Sequence, residues 1–135
     1  MWMAPRNALT VLALFSALAA CSAKPGAATA PDVGDRIYSG NCVPCHQQSG
    51  LGIPGVFPSL AGSRVVLGDP GQLARWVIQG QRPVSMPPGR YPTQMLQFGW
   101  LKPADAAALF CYLRASFGNS ATPVDAAAVA KALGQ

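Results

Sequence analysis

The stretch Asn41-Cys42-Val43-Pro44-Cys45-His46 sets two thiols three residues apart and puts the only histidine of the chain directly after the second. Two cysteines at this spacing suit a redox dithiol or half of a zinc site, and either reading must also account for the histidine. A structural zinc needs four ligands. Outside this stretch only Cys21 and Cys111 remain. Cys21 has a separate role argued below, and Cys111 lies in an apolar helical pattern. Cys45 and His46 are adjacent, a poor arrangement for tetrahedral closure. A thioredoxin-type dithiol sits near a βαβ pattern, and no segment here has the sustained alternation of a strand.

A C-x-x-C-H run has a third use, the attachment of c-type haem. Each thiol adds to one vinyl group of the porphyrin, and the imidazole of the next residue reaches the iron as proximal ligand. Cys42 and Cys45 are thus expected to hold one haem c covalently, with His46 on its iron. This attachment takes place outside the bacterial cytoplasm, so an export signal should precede the motif.

The chain supplies one. Arg6 gives a positive start, and Ala8 to Ala20 is apolar but too short to span a bilayer. It ends in Leu18-Ala19-Ala20-Cys21, which resembles a bacterial lipobox. On that reading residues 1–20 are a signal peptide and the mature chain begins at an acylated Cys21, held to the periplasmic side of a membrane. The alternative is an ordinary signal cut near Ala23. Residues 21–31, small and proline-containing, read as a tether, and residues 32–135 as one domain.

The elements that must position the motif are helical. A first helix is expected from Asp32 to about Asn41, with Val33, Ile37 and Tyr38 on one side. Gly34, a poor helix former, suggests that another helix passes close there. Residues 47–68 read as loop. Asp69-Pro70 opens a second helix and Gly80 closes it. Pro83, Pro87, Pro88 and Pro92 make the next segment irregular. A third helix opens at Pro103 and ends before Gly118, with Ala106, Leu109, Phe110 and Leu113 at buried-face spacing. Thr122-Pro123 is a start for a short last helix. The class is all-α, with loops long enough to wrap something. Cys111 is read as a small core residue, with a bond to Cys21 after export as the alternative; Trp76 and Trp100 are read as core or haem-edge packing.

On these residues the chain resembles the class I cytochrome c family over roughly residues 32–130. Gly34-x-x-Ile37-Tyr38-x-x-Asn41 followed by the cysteine motif is similar to the family's N-terminal helix and haem site, and Leu109 to Arg114 to its C-terminal helix. The resemblance implies that these two helices cross. Gly52 to Gly62 and Ser116-Phe117-Gly118-Asn119 are similar to the cytochrome modules of periplasmic quinoprotein alcohol dehydrogenases. The resemblance also implies that the carbonyl of Pro58 accepts the Nδ1–H of His46, which would fix the tautomer of that ligand.

With no second histidine, an in-chain sixth ligand must be a methionine, or the site is open. Met1 and Met3 leave with the signal, so Met86 and Met95 remain. Met86-Pro87 has the proline that often follows the family's ligand. Met95 lacks it, yet Met95-x-x-Phe98-Gly99-x-Leu101 matches the rest of the family pattern and its distance to the last helix. Met95 is preferred and Met86 is the alternative.

Ten Lys+Arg stand against five Asp and no Glu, for a net charge of +5. The basic residues are scattered singly, without aromatic interleaving, which leaves a nucleic-acid interface unsupported. The expectation is a membrane-tethered monohaem electron carrier, not an enzyme in itself, exchanging electrons with a periplasmic dehydrogenase or terminal oxidase. The alternatives are a fixed haem subunit of such a complex and, more distantly, a haem peroxidase or gas sensor with an open sixth position.

Overall fold

The computed structural model describes residues 29–135; the signal segment, Cys21 and the linker to residue 28 lie outside the described residues. Six helices follow in order: α1 (Ala30–Asn41), α2 (Val43–His46), α3 (Arg64–Leu67), α4 (Pro70–Gln79), α5 (Pro103–Ala115) and α6 (Ala126–Ala132). Among the described residues there is no strand, only an isolated antiparallel bridge between Ile53 and Phe57.

Helix α1 begins two residues before the expected Asp32, because Asp32 is the third helical residue and not the cap. Thr29 takes the cap position: its side chain accepts from the Asp32 backbone N–H, while the Asp32 carboxylate accepts from the Thr29 backbone at 3.0 Å. The Thr29 hydroxyl, which also donates to that carboxylate at 2.6 Å, and then the Thr29 backbone N–H lower the Asp32 pKa, and the reciprocal box draws Thr29, Ala30 and Pro31 out of the expected tether.

Helix α4 has the predicted ends. The Asp69 carboxylate accepts from the backbone of Gly71 and Gln72 at 3.0 and 3.1 Å, Pro70 follows, and Gly80 closes the helix at φ 70°. Helix α6 starts later than Thr122-Pro123, where Asp125 accepts from the Ala128 backbone at 2.8 Å. The single turn α3 lies within the expected loop, capped by Ser63.

Helix α5 is the centre of the packing. It is crossed by α1, flanked by α6 and touched by α3, so Ala106 to Cys111, Leu113 and Arg114 are all buried and the burial exceeds one face. The crossing with α1 is at Gly34. A Cβ there would run into the Ala108 carbonyl and come within 2.6 Å of Tyr112 Cβ, so the close approach expected from sequence depends on the missing side chain. Tyr38 and Phe110 are fully buried at this junction and in the adjoining core, and Cys111 is buried too. Trp76 is core, but Trp100 is 62% exposed, with its ring edge-on to that of Phe98 at 6.4 Å.

Candidate functional site

Cys42 ends α1 and caps α2, and the single turn of α2 carries Cys45 and His46. The His46 backbone N–H donates to the Cys42 carbonyl at 2.8 Å. Within that turn both sulfurs and the imidazole reach the wall of one cavity.

The loop after the motif is fixed from several sides. Gln47 has φ 64°, a left-handed conformation costly for a residue with a side chain. Its carbonyl accepts from the Tyr38 hydroxyl at 2.5 Å and from the Gly50 N–H at 3.1 Å. Tyr38 in turn packs against Tyr112 and Phe117, with ring centroids 5.5 and 5.2 Å away. Burial pushes the Tyr38 phenol up to about 12. Gly52 N–H donates to the His46 carbonyl at 2.9 Å, and Leu60 N–H to the Gly50 carbonyl at 2.7 Å.

His46 Nδ1 lies 2.9 Å from the Pro58 carbonyl oxygen. A carbonyl can only accept, so the bond places the proton on Nδ1 and leaves the Nε2 lone pair available. Burial lowers the His46 pKa against the opposing effect of the Pro58 bond, which favours the neutral imidazole, the form that binds metal. Burial, with a smaller contribution from Cys45, pushes the Cys42 thiol up to about 11. A buried thiol held protonated is a weak nucleophile, which argues against thiolate catalysis at Cys42.

The cavity holds about 330 Å³, within the usual range for a bound cofactor, roughly 300–1,000 Å³. Leu60, Val66, Leu73, Val77, Leu109 and Leu113 give it a mainly apolar lining. Arg82 is the one charged residue on the wall, and its guanidinium lies 5.0 Å from the centroid of the Trp76 ring, which also lines the cavity. Nothing in the spacing of Trp76 and Arg82 announces this pairing; it follows from the turn at Gly80.

Met86 and Met95 are both half-buried, and both line the same cavity. Of the residues singled out in the sequence, Cys42, Cys45, His46, Pro58, Met86 and Met95 therefore meet in one place. Among the described residues no group of three or more His, Cys or Asp side chains is gathered to hold a metal ion, which leaves the zinc reading without a ligand set there. The apolar walls, the two thiols, a ready imidazole and two thioethers fit haem c.

A family model described as Cytochrome c matches residues 32–116. One cytochrome c-552 of Thermus thermophilus is 32% identical over 102 residues, covering 70% of this chain and 67% of that protein. A second Thermus thermophilus cytochrome c-552 is 32% identical over 94 residues, covering 64% of this chain and 70% of that protein. The cytochrome c subunit of the quinone alcohol dehydrogenase of Gluconobacter oxydans is 32% identical over 94 residues; these are 67% of this chain but 19% of that subunit.

Proposed function

Because this chain belongs to the cytochrome c family, with the class I fold, one covalently attached haem c and electron transfer as its chemistry, we propose that it is a membrane-tethered carrier of single electrons on the periplasmic side of a bacterial membrane. The observation that carries the site reading is the His46–Pro58 bond at 2.9 Å, beside a cavity that Cys42, Cys45 and two methionines also line. Haem, when bound, supplies a one-electron Fe(II)/Fe(III) couple.

The chain's own residues do the rest. Cys42 and Cys45 hold the porphyrin through its vinyl groups. His46 offers Nε2 to the iron, and the Pro58 carbonyl keeps the imidazole in the right tautomer and makes it more basic. Met95, or in its place Met86, would offer the iron a soft neutral sulfur from the same cavity, and His–Met ligation would raise the potential. The apolar walls exclude water, which favours the less charged Fe(II) state. Arg82 provides a counter-charge for the carboxylates of the porphyrin.

Between Asp69 and Asp105 every charged residue is basic: Arg75, Arg82, Arg90 and Lys102. Leu96, on the cavity wall and 74% exposed, and Trp100 lie in the same segment. This combination supports a protein redox partner with an acidic rim around an apolar patch. A dehydrogenase is the favoured donor, since one relative is named as the cytochrome c subunit of such an enzyme. That relative equally supports a second reading, a fixed subunit of the complex, for which stable co-purification with a dehydrogenase from detergent-solubilised membranes is the test.

Optical spectra of the oxidised and reduced protein, with and without carbon monoxide, test the carrier reading. A six-coordinate haem in both states that ignores carbon monoxide is expected. Rapid carbon monoxide binding to the reduced protein would instead favour a gas sensor or peroxidase. For the tether, Cys21→Ser should release the protein from membranes or block its processing. An intact mass without acyl chains, whether from a cut near Ala23 or from a Cys21–Cys111 bond, would overturn it.

A further inference from the structure

Arg114 near the end of α5 is 3% exposed, yet no carboxylate pairs with it. Its Nε donates to the Thr122 carbonyl at 2.7 Å. Its Nη1 donates to the Val66 and Gly68 carbonyls at 2.7 and 2.9 Å, and its Nη2 to the Thr122 hydroxyl at 3.3 Å. Every partner is neutral. All five aspartates of the chain lie among the described residues, and the one ion pair there joins Arg75 to Asp69 at the surface.

A buried cation held only by carbonyls and a hydroxyl keeps much of its field, because no opposite charge cancels it and little water screens it. Burying a full charge is costly, and neutral donors satisfy carbonyls more cheaply. The position of the charge gives it a use. Val66, whose carbonyl binds Arg114, lines the cavity, and so does Leu113, the residue before it. Arg114 is therefore bonded to one residue of the cavity wall and follows another along α5.

We propose that Arg114 is a fixed buried charge that raises the reduction potential of the haem in this cavity, a tuning residue that touches neither haem nor partner; the proposal rests on the haem reading above. With haem bound, reduction of Fe(III) to Fe(II) by one electron from a donor would lower the charge at the iron by one. A neighbouring positive charge favours the lower-charge state, so the potential rises. Guanidinium suits the task because it remains protonated even when buried.

The test uses the intact holoprotein, with potentials from optical redox titration and stability from thermal melts. Arg114→Lys keeps the charge and loses the fork; Arg114→Gln loses both. Both variants are expected to melt earlier, with the potential shifted down in Arg114→Gln and near the parent value in Arg114→Lys. Should Arg114→Gln fail to fold, Thr122→Asp sets a carboxylate beside the guanidinium without removing it, and Thr122→Asn is its near-isosteric control. The aspartate variant is expected to have the lower potential of the two. Equal shifts in Lys and Gln variants, tracking stability, would reduce Arg114 to a structural clamp, and equal potentials in Thr122→Asp and Thr122→Asn would overturn the proposal. A parent protein without covalent haem would instead sink the functional reading beneath it, a result visible before any variant is made.

Discussion

The wall that carries His46 and the lip that carries the methionines face the same cavity but are built in different ways. The wall is pinned residue by residue. Gln47 is held in a costly backbone conformation by Tyr38 and Gly50, His46 is bonded to Pro58, and the supporting aromatics are gripped by the crossing of α1 and α5. The lip, from Gln81 to Trp100, has Pro83, Pro87, Pro88 and Pro92 in place of repetitive pairing. Its backbone bonds are few, such as Met86 N–H to the Pro83 carbonyl and Phe98 N–H to the Val77 carbonyl, both at 2.9 Å. The contrast fits the division of chemistry. On the proposed reading, covalent attachment and a fixed imidazole would set the haem's position, and the lip would have only to bring one sulfur to the iron.

The sharpest break in the comparison comes from the crossing that supports the wall. Gly34→Val would press a branched side chain into the Ala108 carbonyl and Tyr112. We expect a loss of about 3 kcal/mol or more, the upper end of overpacking costs, seen as a large fall in melting temperature and poor haem incorporation. A change of the same size in the lip, such as Gly89→Val, has no atom within contact distance of the added Cβ. It sits at φ 78°, so backbone strain of about 1 kcal/mol is its main effect. If both variants lose the same stability, the two regions do not differ as described.

Next in size is the axial ligand. Met95→Ala should abolish the weak red-end absorption band of iron–thioether bonding, lower the potential and open the iron to cyanide, while leaving the haem attached. Met86→Ala should preserve the band. The reverse pattern would assign the sulfur to Met86, and two silent variants would remove methionine from the iron altogether.

The smallest effect probes how the wall is held. Tyr38→Phe removes the bond to the Gln47 carbonyl and is expected to cost about 1 kcal/mol. It should also change the response to alkali. Burial holds the phenol neutral up to about 12 in the folded chain against 10.0 ordinarily. The unfolded chain thus loses this proton first, and the stabilisation is complete below pH 10 and disappears as pH rises towards 12. Denaturant melts of the two proteins across that window should first converge and then cross, because the proton linkage between 10.0 and about 12 outweighs the roughly 1 kcal/mol bond. A constant gap would mean that Tyr38 does not titrate as its burial implies.

How much of this was legible in the sequence depends on distance along the chain. The Asp69-Pro70 start and Gly80 stop of α4 and the Gly34 approach are local or periodic signals, and each has its expected structural counterpart; the C-x-x-C-H run is equally local, and the fold brings its cysteines and histidine to one cavity. The start of α1 was hidden because Thr29-x-x-Asp32 sits in a run of small residues that reads as linker. The turn α3 was hidden because Ser63 caps only four residues inside a glycine- and proline-rich stretch. Arg114 carries no local signal at all: two of its acceptors lie 48 and 46 residues away and are backbone carbonyls, which any sequence supplies. The choice between Met86 and Met95 stays a matter of pattern, since the fold brings both to one cavity.

The account stands on a single haem held by Cys42 and Cys45 beside His46. Cleavage of the intact holoprotein after arginine and lysine gives the segment 37–64, which contains both cysteines and the histidine. Mass spectrometry of that segment is expected to find it heavier by one haem, with both thiols consumed and the haem retained through acid–acetone extraction. Free thiols at Cys42 and Cys45, or haem that leaves with the solvent, would contradict the account at its base.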